Sequence, residues 1–471
     1  MPSADPRLLR RLSGEVSSDG RHVLFHLEMA DGTRREMIVP ADALPNLAQY
    51  LKQQAGIAVE MQRQLSPADP IQPAPPRAEP MPGQFAYLDA LDQPRISLEA
   101  LKSGAADGIY LEADDAPRQF PSPTPEFHDD PDGARLFSGF HPGVVTYPPT
   151  FLASARDARI IGYRTVLRRD GYFFNDDPVG GPMRAAYLDR MRSPDDFLNE
   201  DTGLREAPDP ALFVLDHAGR PEQRLDGSVV VLCSHEPSNF GSFLFRVLPK
   251  ISALQRFGLD RLPLLAYAHA PSVREFLELA GLDPERLIVH DTHTIYSVEH
   301  AILPCLRNNQ AFLDTESRAL FARMRERWGY AADGRRIYIS RAGFAHRSSS
   351  TRVMLNEAEL IARLAERGFQ IVEPETMPAR EQIATFSAAS LVVGPSGSGM
   401  FNVAFCHPAT RVIDIESEPH WIHAHRCLFA SCELRYGIFE GKVDDTDHRP
   451  VHRRWRVNVE ALMQRIETLA A

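Results

Sequence analysis

The sequence has no paired cysteines, no long apolar segment and no excess of positive charge. Its five cysteines are widely spaced without a C-x-x-C pair, so neither a disulfide framework nor a zinc ribbon is predicted. No run of about 18 uncharged apolar residues occurs, and the segment MPSADPRLLRRLSGEV has no apolar centre, so neither membrane spanning nor export is predicted. A net charge of -11 argues against general affinity for nucleic acid or anionic lipid. We therefore expect a cytoplasmic protein with reduced thiols.

The N-terminal part, residues 1–65, predicts a small ββα module. Two alternating segments, HVLFHLEM and TRREMIVP, are joined by a turn at 30–32, and a helical pattern follows over 42–54. Seven prolines and almost no large apolar residues stand between 66 and 83, a composition that stays extended. Residues 66–84 are therefore a predicted linker.

The rest of the chain alternates between short strands and helices. ARIIGYRTVLRRDGYFFND predicts a β-hairpin, after which VVVLCS, LPLLAYA and RLIVHD predict strands separated by helices. After a helix over 314–329, the strands RIYIS, FQIVE, LVVG and RVIDIE alternate with helices in the same way. This order favours parallel sheets in an α/β protein. We predict two Rossmann-like domains, 85–330 and 331–471, facing a cleft at the carboxyl ends of their strands.

A glycine-rich loop, LVVGPSGSGMFNVAF, follows a central strand of the second group. It fails the Walker A pattern, because Met400 and Phe401 stand where Lys and Ser/Thr are required. It also fails the dinucleotide fingerprint, because Asn402 stands at the third glycine position. Two interpretations stay open, a structural turn and a loop whose backbone N–H groups hold an anion. Its position at the predicted cleft favours the anion.

Positive charge is concentrated beside this loop. Residues 335–352 contain five arginines and no acidic residue, although the whole chain is acidic. Guanidinium groups match phosphate oxygens, so Arg341, with Arg347 or Arg352, is a candidate clamp for a diphosphate. The alternative is a solvated basic loop that pairs with nearby glutamates.

The segment SHEPSNFGS, residues 234–242, carries the candidates for proton transfer. His235 or Glu236 is a candidate general base for an alcohol, and Asn239 or Ser242 is a candidate for orienting the substrate. Helix capping and a solvated His and Glu are the alternative. Glu416, at the end of RVIDIE, is a candidate acceptor of hydrogen bonds from a sugar or ribose hydroxyl.

Three histidines lie close together in PHWIHAHRC, at 420, 423 and 425. No carboxylate completes a recognisable ligand set, so no metal site is predicted there. We expect these side chains to line the cleft or to pack beneath it.

Six segments, in this order and spacing, resemble the glycosyltransferase family 61 proteins, whose bacterial members are often labelled capsular polysaccharide biosynthesis proteins or DUF563. They are NFGSFLFRVLPKI, YISR, the R-x-x-x-NE-x-E-L-I segment, GFQIVEPE, EQIATFSAASLVVGPSGSGMFNVAF and VIDIE. The resemblance covers about residues 158–439. It implies a GT-B architecture and an inverting transfer from a nucleotide-sugar donor to a saccharide or other hydroxyl acceptor. It implies neither a bound divalent ion nor another cofactor.

The resemblance also implies roles for the donor side. The backbone N–H groups of the loop, with Arg341 and Arg347, would stabilise the leaving nucleoside diphosphate. Asn402 and Glu416 would help to hold the donor. The loop residues concerned are Ser396, Gly397, Ser398 and Gly399.

The sequence departs from the family at the acceptor side. Many relatives carry His where this chain has Ser242, a carboxylate where it has Arg246, and a His-Gly-Ala type loop at 396–398. If those family positions supply the base, this chain uses another group, His235 or Glu236 being nearest, or it is inactive.

Three functions therefore stay open: sugar transfer, epimerisation of a nucleotide sugar, and non-catalytic carbohydrate binding or assembly. The sugar, the nucleotide and the acceptor are not identified by the sequence. Homo-oligomerisation and peripheral membrane association also stay open.

Overall fold

In the computed structural model the chain forms two compact units, Met1–Ile71 with His448–His452 and Gln72–Asp447 with Arg453–Ala471. The residues that the structure describes are 9–16, 21–29, 34–40, 83–112, 119–121, 125–129, 144–146, 149–177, 184–193, 203–209, 211–215, 219–306, 312–343, 352–417, 422–444, 446–447 and 453–470.

The described part of the first unit is an antiparallel sheet of three strands, β1 Leu9–Val16, β2 His22–Met29 and β3 Arg34–Pro40. β2 and β3 are the two strands that the alternation of residues predicts. β1 was not predicted, because LRRLSGEV interrupts its alternation with paired arginines and a glycine. The predicted helix over 42–54, and the linker as far as residue 82, lie outside the described residues.

In its described residues the second unit contains two large sheets and two small sheets of two strands each. Their strands are β4 Gln84–Tyr87, β5 Gly108–Leu111, β6 Gln119–Pro121, β7 Phe127–His128, β8 Val144–Thr146, β9 Phe151–Ile161, β10 Thr165–Leu167, β11 Tyr172–Phe174, β12 Leu204–Glu206, β13 Leu212–Leu215, β14 Glu222–Val231, β15 Leu264–Ala266, β16 Leu287–Val289, β17 Ile295–Pro304, β18 Arg335–Ile339, β19 Gln370–Val372, β20 Ala389–Pro395, β21 Arg411–Glu416 and β22 Arg435–Glu440. β6 pairs with β8, and two short strands, β23 Lys442–Val443 and β24 Trp455–Arg456, pair with each other.

The helices lie between these strands. They are α1 Leu98–Ser103, α2 Arg184–Arg192, α3 Phe240–Ser242, α4 Lys250–Phe257, α5 Pro271–Leu279, α6 Thr315–Trp328, α7 Glu357–Glu366, α8 Ala379–Ala388, α9 Ile422–Ser431 and α10 Val459–Ala470. A π-helical segment, Phe243–Val247, connects α3 towards α4. Short 3-10 helices occur at Ala90–Asp92, Pro284–Arg286, Pro374–Thr376 and Ser398–Phe405.

The first sheet is mixed and has 11 strands, in the order β12-β13-β4-β11-β10-β9-β17-β14-β15-β16, with β5 on β9. The predicted parallel strands are β14, β15 and β16, and β17 extends this parallel part. β17 was missed because Glu299 and His300 interrupt its apolar run, IYSVEHAILP. The predicted hairpin is β10 and β11, which joins the sheet through β9.

The second sheet has six parallel strands, in the order β19-β18-β20-β21-β22-β7. The four strands predicted for this half are β18 to β21, each followed by a helix or helical turn. β7 comes from residues 127–128, so the sheet also uses a strand from well before residue 330. The prediction of an α/β protein with sheets of parallel strands is confirmed.

The two sheets share one hydrophobic core. A single cluster of buried residues includes Leu232 and Phe276 from the first sheet region and Val392 and Phe405 from the second. The rings of Phe276 and Phe405 stack with centroids 5.7 Å apart. Side chains from the neighbourhood of both sheets are therefore buried in the same cluster.

No helix among the described residues is long and apolar enough to cross a membrane. All five cysteines are free thiols, and four of them are buried. Burial raises the pKa of Cys233 to about 12, so this thiol is not prepared for nucleophilic attack.

Candidate functional site

The glycine-rich loop begins where β20 ends, and its glycines allow close packing on both sides. A Cβ at Gly394 would lie 2.9 Å from the Cβ of Ile339, and one at Gly397 would lie 2.7 Å from Nη1 of Arg341. Neither position therefore accepts a side chain without displacing its neighbour. Gly397 in particular leaves the space that the guanidinium of Arg341 occupies.

Not every backbone amide of the loop is available to a ligand. The N–H of Ser396 donates to the carbonyl of Ile415 at 2.8 Å, and the N–H of Met400 donates to Gly397 at 3.0 Å. The expectation that Ser396 offers its amide to a phosphate is corrected, because that amide belongs to the pairing of β20 with β21. Ser398 and Gly399 start the 3-10 helix, where N–H groups have no partner within the helix.

Two arginines converge on this loop from β18 and from the segment before α7. Arg341 Nη1 and Arg352 Nη2 donate to the carbonyl of Ser396 at 3.2 Å and 3.0 Å. Both are partly buried. Burial and the neighbouring charge of Arg352 lower the pKa of Arg341 to about 10. The two like charges are thus held close together beside the loop. A bound anion would offset the repulsion between them.

Glutamates stabilise this arrangement from two sides. Arg352 Nη1 lies 3.5 Å from Oε1 of Glu416, whose side chain is almost fully buried. The backbone N–H of Arg341 donates to Oε1 of Glu357 at 2.8 Å. Burial raises the pKa of Glu357 despite its hydrogen bonds. Glu416 therefore contacts Arg352, and its expected bond to a sugar or ribose hydroxyl has no exposed oxygen surface to use.

Asn402 also supports the loop from beneath. It is completely buried, and its side-chain amide donates to the carbonyl of Gly399 at 3.2 Å. The expectation that Asn402 touches the donor is corrected, since no part of it reaches the surface.

His425 lies under the same loop. Its Nδ1 is 2.8 Å from Oδ2 of Asp414 and 3.1 Å from Oγ of Ser396, and its ring packs against the edge of Phe401. This agrees with the expectation of packing beneath the cleft. Among the described residues no group of three or more His, Cys, Asp or Glu side chains is placed to hold a metal ion.

Asn239 connects the two predicted halves of the site. Its Oδ1 accepts hydrogen bonds from the N–H of Gly241 at 2.9 Å and from Oγ of Ser398 at 2.8 Å. A Cβ at Gly241 would lie 2.7 Å from the ring of Phe401. Asn239 is therefore an N-cap of α3 and also a direct link from the acceptor-side segment to the glycine-rich loop.

His235 is buried at the carboxyl end of β14. Its Nε2 lies 3.2 Å from Oδ2 of Asp177, and its carbonyl accepts a hydrogen bond from Oγ of Ser242 at 2.6 Å. Burial alone would raise the pKa of Asp177, but the hydrogen bond and charge of His235 outweigh it and lower that pKa. An imidazole oriented by a carboxylate is a common arrangement for a general base.

Glu236 pairs with Arg246. Arg246 Nη1 donates to Oε2 of Glu236 and to Oγ of Ser242, each at 3.0 Å. Glu236 also has a φ of 44°, which is uncommon for a residue with a side chain. Because a guanidinium occupies one of its oxygens, Glu236 is less suited than His235 to accept a proton.

A buried ionic cluster beside His235 was missed by the sequence analysis. Asp176 accepts hydrogen bonds from Arg164 at 2.5 Å, Lys250 at 2.7 Å and Ser234 at 2.8 Å. The charges of Lys250 and Arg164 overcome the effect of burial and hold the pKa of Asp176 far below its usual value. Two features of the sequence could have indicated this cluster: the Asn-Asp-Asp run after an apolar strand, and a lysine on the apolar side of a helix.

The cluster fixes the segment that carries His235. Lys250 also donates to the carbonyl of Cys233 at 2.6 Å, and the N–H of Leu306 donates to the carbonyl of Asp176 at 2.7 Å. The ends of β11, β14 and β17 are thereby tied together. The predicted clamp residue Arg347 lies outside the described residues, as do His346 and His420.

A surface pocket of about 620 Å³ lies elsewhere, near the amino ends of β14 and β17. Its arginines Arg168 and Arg224 pair with Asp170 and Glu299. None of the predicted site residues lines it.

Part of the chain matches a known protein family. Residues 240–413, somewhat more than a third of the chain, match the family model described as Glycosyltransferase 61. No curated protein matches the chain. The matched range contains Arg341, Arg352 and the whole glycine-rich loop, and it ends before Glu416. The resemblance noted in the sequence is confirmed over residues 240–413, which are similar to the glycosyltransferase 61 family.

Proposed function

We propose that this protein transfers a sugar from a nucleotide-sugar donor to a hydroxyl acceptor, with inversion at the anomeric carbon and without a required metal ion. The proposal includes a GT-B-like arrangement, in which the second sheet carries the donor site and the first sheet carries the acceptor site. The proposal includes a cytoplasmic location, and a role in bacterial capsular or extracellular polysaccharide synthesis rests on the family resemblance alone.

The observation that carries the proposal is the convergence of Arg341 and Arg352 on the carbonyl of Ser396. Both guanidinium groups are partly buried, and Glu416 and Glu357 hold them beside the loop. A nucleoside diphosphate is the anion that a glycosyltransferase must stabilise as it leaves. Fixed positive groups can supply this stabilisation in place of a divalent ion.

The link between Asn239 and Ser398 supports the placement of the acceptor. This hydrogen bond joins the start of α3, beside His235, to the loop beside the arginines. A sugar whose diphosphate lies on the loop would therefore present its anomeric carbon towards the carboxyl end of β14. Orientation of two reactants in this way lowers the entropic part of the barrier.

In the proposed reaction the acceptor hydroxyl loses its proton to a base as its oxygen forms a bond to the anomeric carbon. The bond from that carbon to the diphosphate oxygen breaks, and the electron pair leaves with the diphosphate. His235, oriented by Asp177, is the base that we favour. Such proton removal contributes roughly 10² to 10⁴ in rate.

The test is a transfer assay with a panel of nucleotide sugars and hydroxyl acceptors. Arg341→Ala and Arg352→Ala should each lower kcat by roughly 10²-fold or more, the scale of losing one preorganised charge-stabilising group. Arg335→Ala is the matched control, because Arg335 lies in the same basic segment but pairs with Asp333 at the surface. A chelator should leave the rate unchanged. Full activity of the Arg341→Ala variant would overturn the proposal.

A non-catalytic sugar-binding protein is the second candidate, and the pairing of Arg246 with Glu236 favours it. The family resemblance implies a carboxylate in many relatives where this chain has Arg246, so the cation removes one source of a base. This candidate predicts nucleotide-sugar binding without transfer or hydrolysis. Incubation of each donor without acceptor also separates an epimerase, which would change the sugar.

A further inference from the structure

Three aromatic side chains lie together beyond the end of β15. Tyr267 and His269 follow β15, and Tyr163 lies in the turn between β9 and β10. The ring centroids of Tyr163 and Tyr267 are 6.2 Å apart, and those of Tyr267 and His269 are 4.6 Å apart, both edge to face. The two tyrosines are partly exposed and the histidine is exposed. The rings thus form a small aromatic surface that belongs to no hydrophobic core cluster.

Hydrogen bonds hold this aromatic surface in place. The ring of His290, which is fully buried at the end of β16, bonds through Nε2 to the carbonyl of Gly162 at 2.7 Å. The carbonyl of His290 in turn contacts Nε2 of His269 at 2.9 Å. Burial lowers the pKa of His290 to about 4, so its ring is neutral near pH 7. The turn that carries Tyr163 and the ring of His269 are therefore fixed before any ligand arrives.

The aromatic surface lies one strand away from the favoured base. β14 and β15 are parallel, with Val231 opposite Leu265, so continuation of this register places Tyr267 beside Cys233. The N–H of Leu232 donates to the carbonyl of Leu265 at 2.8 Å, which keeps the two chains paired to this point. Neighbouring strands lie about 4.8 Å apart. His235 follows Cys233 by two residues along the chain.

We propose that Tyr163, Tyr267 and His269 form the acceptor subsite and bind a pyranose ring. This inference rests on the proposed function, because it assigns the acceptor of that reaction. The C–H groups on one face of a pyranose carry partial positive charge and stack on the negative face of an aromatic ring. The donor nucleotide is assigned to the other sheet, so a saccharide is the ligand expected here.

The test uses ligand-observed saturation-transfer NMR with methyl pyranosides as probes. The panel contains both anomers of methyl glucoside, galactoside, mannoside, rhamnoside and N-acetylglucosaminide. At least one member should show saturation on ring C–H protons with the wild-type protein. Tyr267→Ala should weaken its binding roughly 10-fold, and Tyr267→Phe should retain most of the affinity because the stacking face remains.

Tyr330→Ala is the control, because Tyr330 is an exposed tyrosine with 64% of its surface accessible and belongs to no part of the site. Its binding of the pyranoside should equal that of the wild type. Absence of saturation for every probe, or equal binding by Tyr267→Ala and wild type, would overturn the inference.

A second titration separates this inference from the proposed function. UDP, GDP, CDP and dTDP are titrated calorimetrically into the wild type, Tyr267→Ala and Arg341→Ala. Tyr267→Ala should bind the diphosphate as the wild type does. Arg341→Ala should bind it more weakly. Diphosphate binding without any pyranoside binding overturns the acceptor subsite and leaves the donor site intact. Pyranoside binding that depends on Tyr267, without binding of any diphosphate, overturns the proposed function and supports the aromatic subsite.

Discussion

At the scale of single residues, Gly397 shows why the donor loop needs a glycine. The space that a Cβ would take at this position is occupied by Nη1 of Arg341, at 2.7 Å. The sequence predicted that the glycine-rich loop and the arginines act together on a diphosphate. It did not show that they meet, since contacts between residues 56 positions apart depend on the packing of β18 against β20.

Gly397→Ala should weaken nucleoside diphosphate binding by displacing Arg341, while the same change in an Arg341→Ala background should have almost no further effect. The reason is that the steric conflict disappears when the guanidinium is removed. Isothermal titration calorimetry on the wild type, Gly397→Ala, Arg341→Ala and the double variant measures the coupling between the two positions in diphosphate binding. Equal losses in both backgrounds would show that the glycine acts independently of Arg341.

Asp177 is a residue that the sequence did not single out, although it is adjacent to the base that we favour. Asp177→Asn removes the charge that faces Nε2 of His235 and should lower kcat by roughly 10² to 10⁴, with a small effect on KM. Steady-state kinetics checks this. Asp170→Asn, in the exposed turn after β10, is the matched control. A kcat equal to that of the wild type would show that Asp177 does not assist a base at His235.

At the scale of the elements, strands with continuous apolar runs were predictable and strands with interruptions were not. β18, β20 and β21 are buried between helices, and the apolar runs in their sequences indicate this burial. β9 extends back to Phe151, beyond its predicted start, because Arg156 and Asp157 are exposed and break the apolar pattern. The ionic cluster around Asp176 was unpredictable, because its members come from four separate elements.

Lys250 connects these elements and should be important for stability. Lys250→Met leaves Asp176 with a buried charge that Arg164 alone must compensate, and we expect a loss of about 3–5 kcal/mol in the free energy of unfolding. Lys250→Met combined with Asp176→Asn should lose less, because the uncompensated charge is removed as well. Urea unfolding measures both. A double variant less stable than Lys250→Met would contradict this account.

The same cluster gives the protein a defined response to acid. The folded-state pKa of Asp176 is depressed, so its contribution to stability is present above the unfolded pKa of about 3.9 and is lost as the pH falls below that value. The free energy of unfolding of the wild type should therefore decline on acidification more steeply than that of the double variant. Equal slopes from pH 5 to pH 3 would contradict the assignment.

At the scale of the whole molecule, the sequence predicted the two sheets of the second unit but not their common core. Alternation of strands and helices is local and can be read from the chain. The stacking of Phe245 on Phe401, with ring centroids 5.0 Å apart, joins residues 156 positions apart and depends on the packed structure. Segments from both sheets thus hold the glycine-rich loop against α3, and the site depends on both.

The central claim is that Arg341 and Arg352 bind the diphosphate of the donor, and a thermal-unfolding comparison tests it most directly. A nucleoside diphosphate at 100 times its dissociation constant should stabilise the wild type and Arg335→Ala by about 2.7 kcal/mol. Arg341→Ala and Arg352→Ala should show little of this stabilisation at the same ligand concentration. Equal stabilisation of all four proteins, or none in the wild type with any of UDP, GDP, CDP and dTDP, would contradict the account.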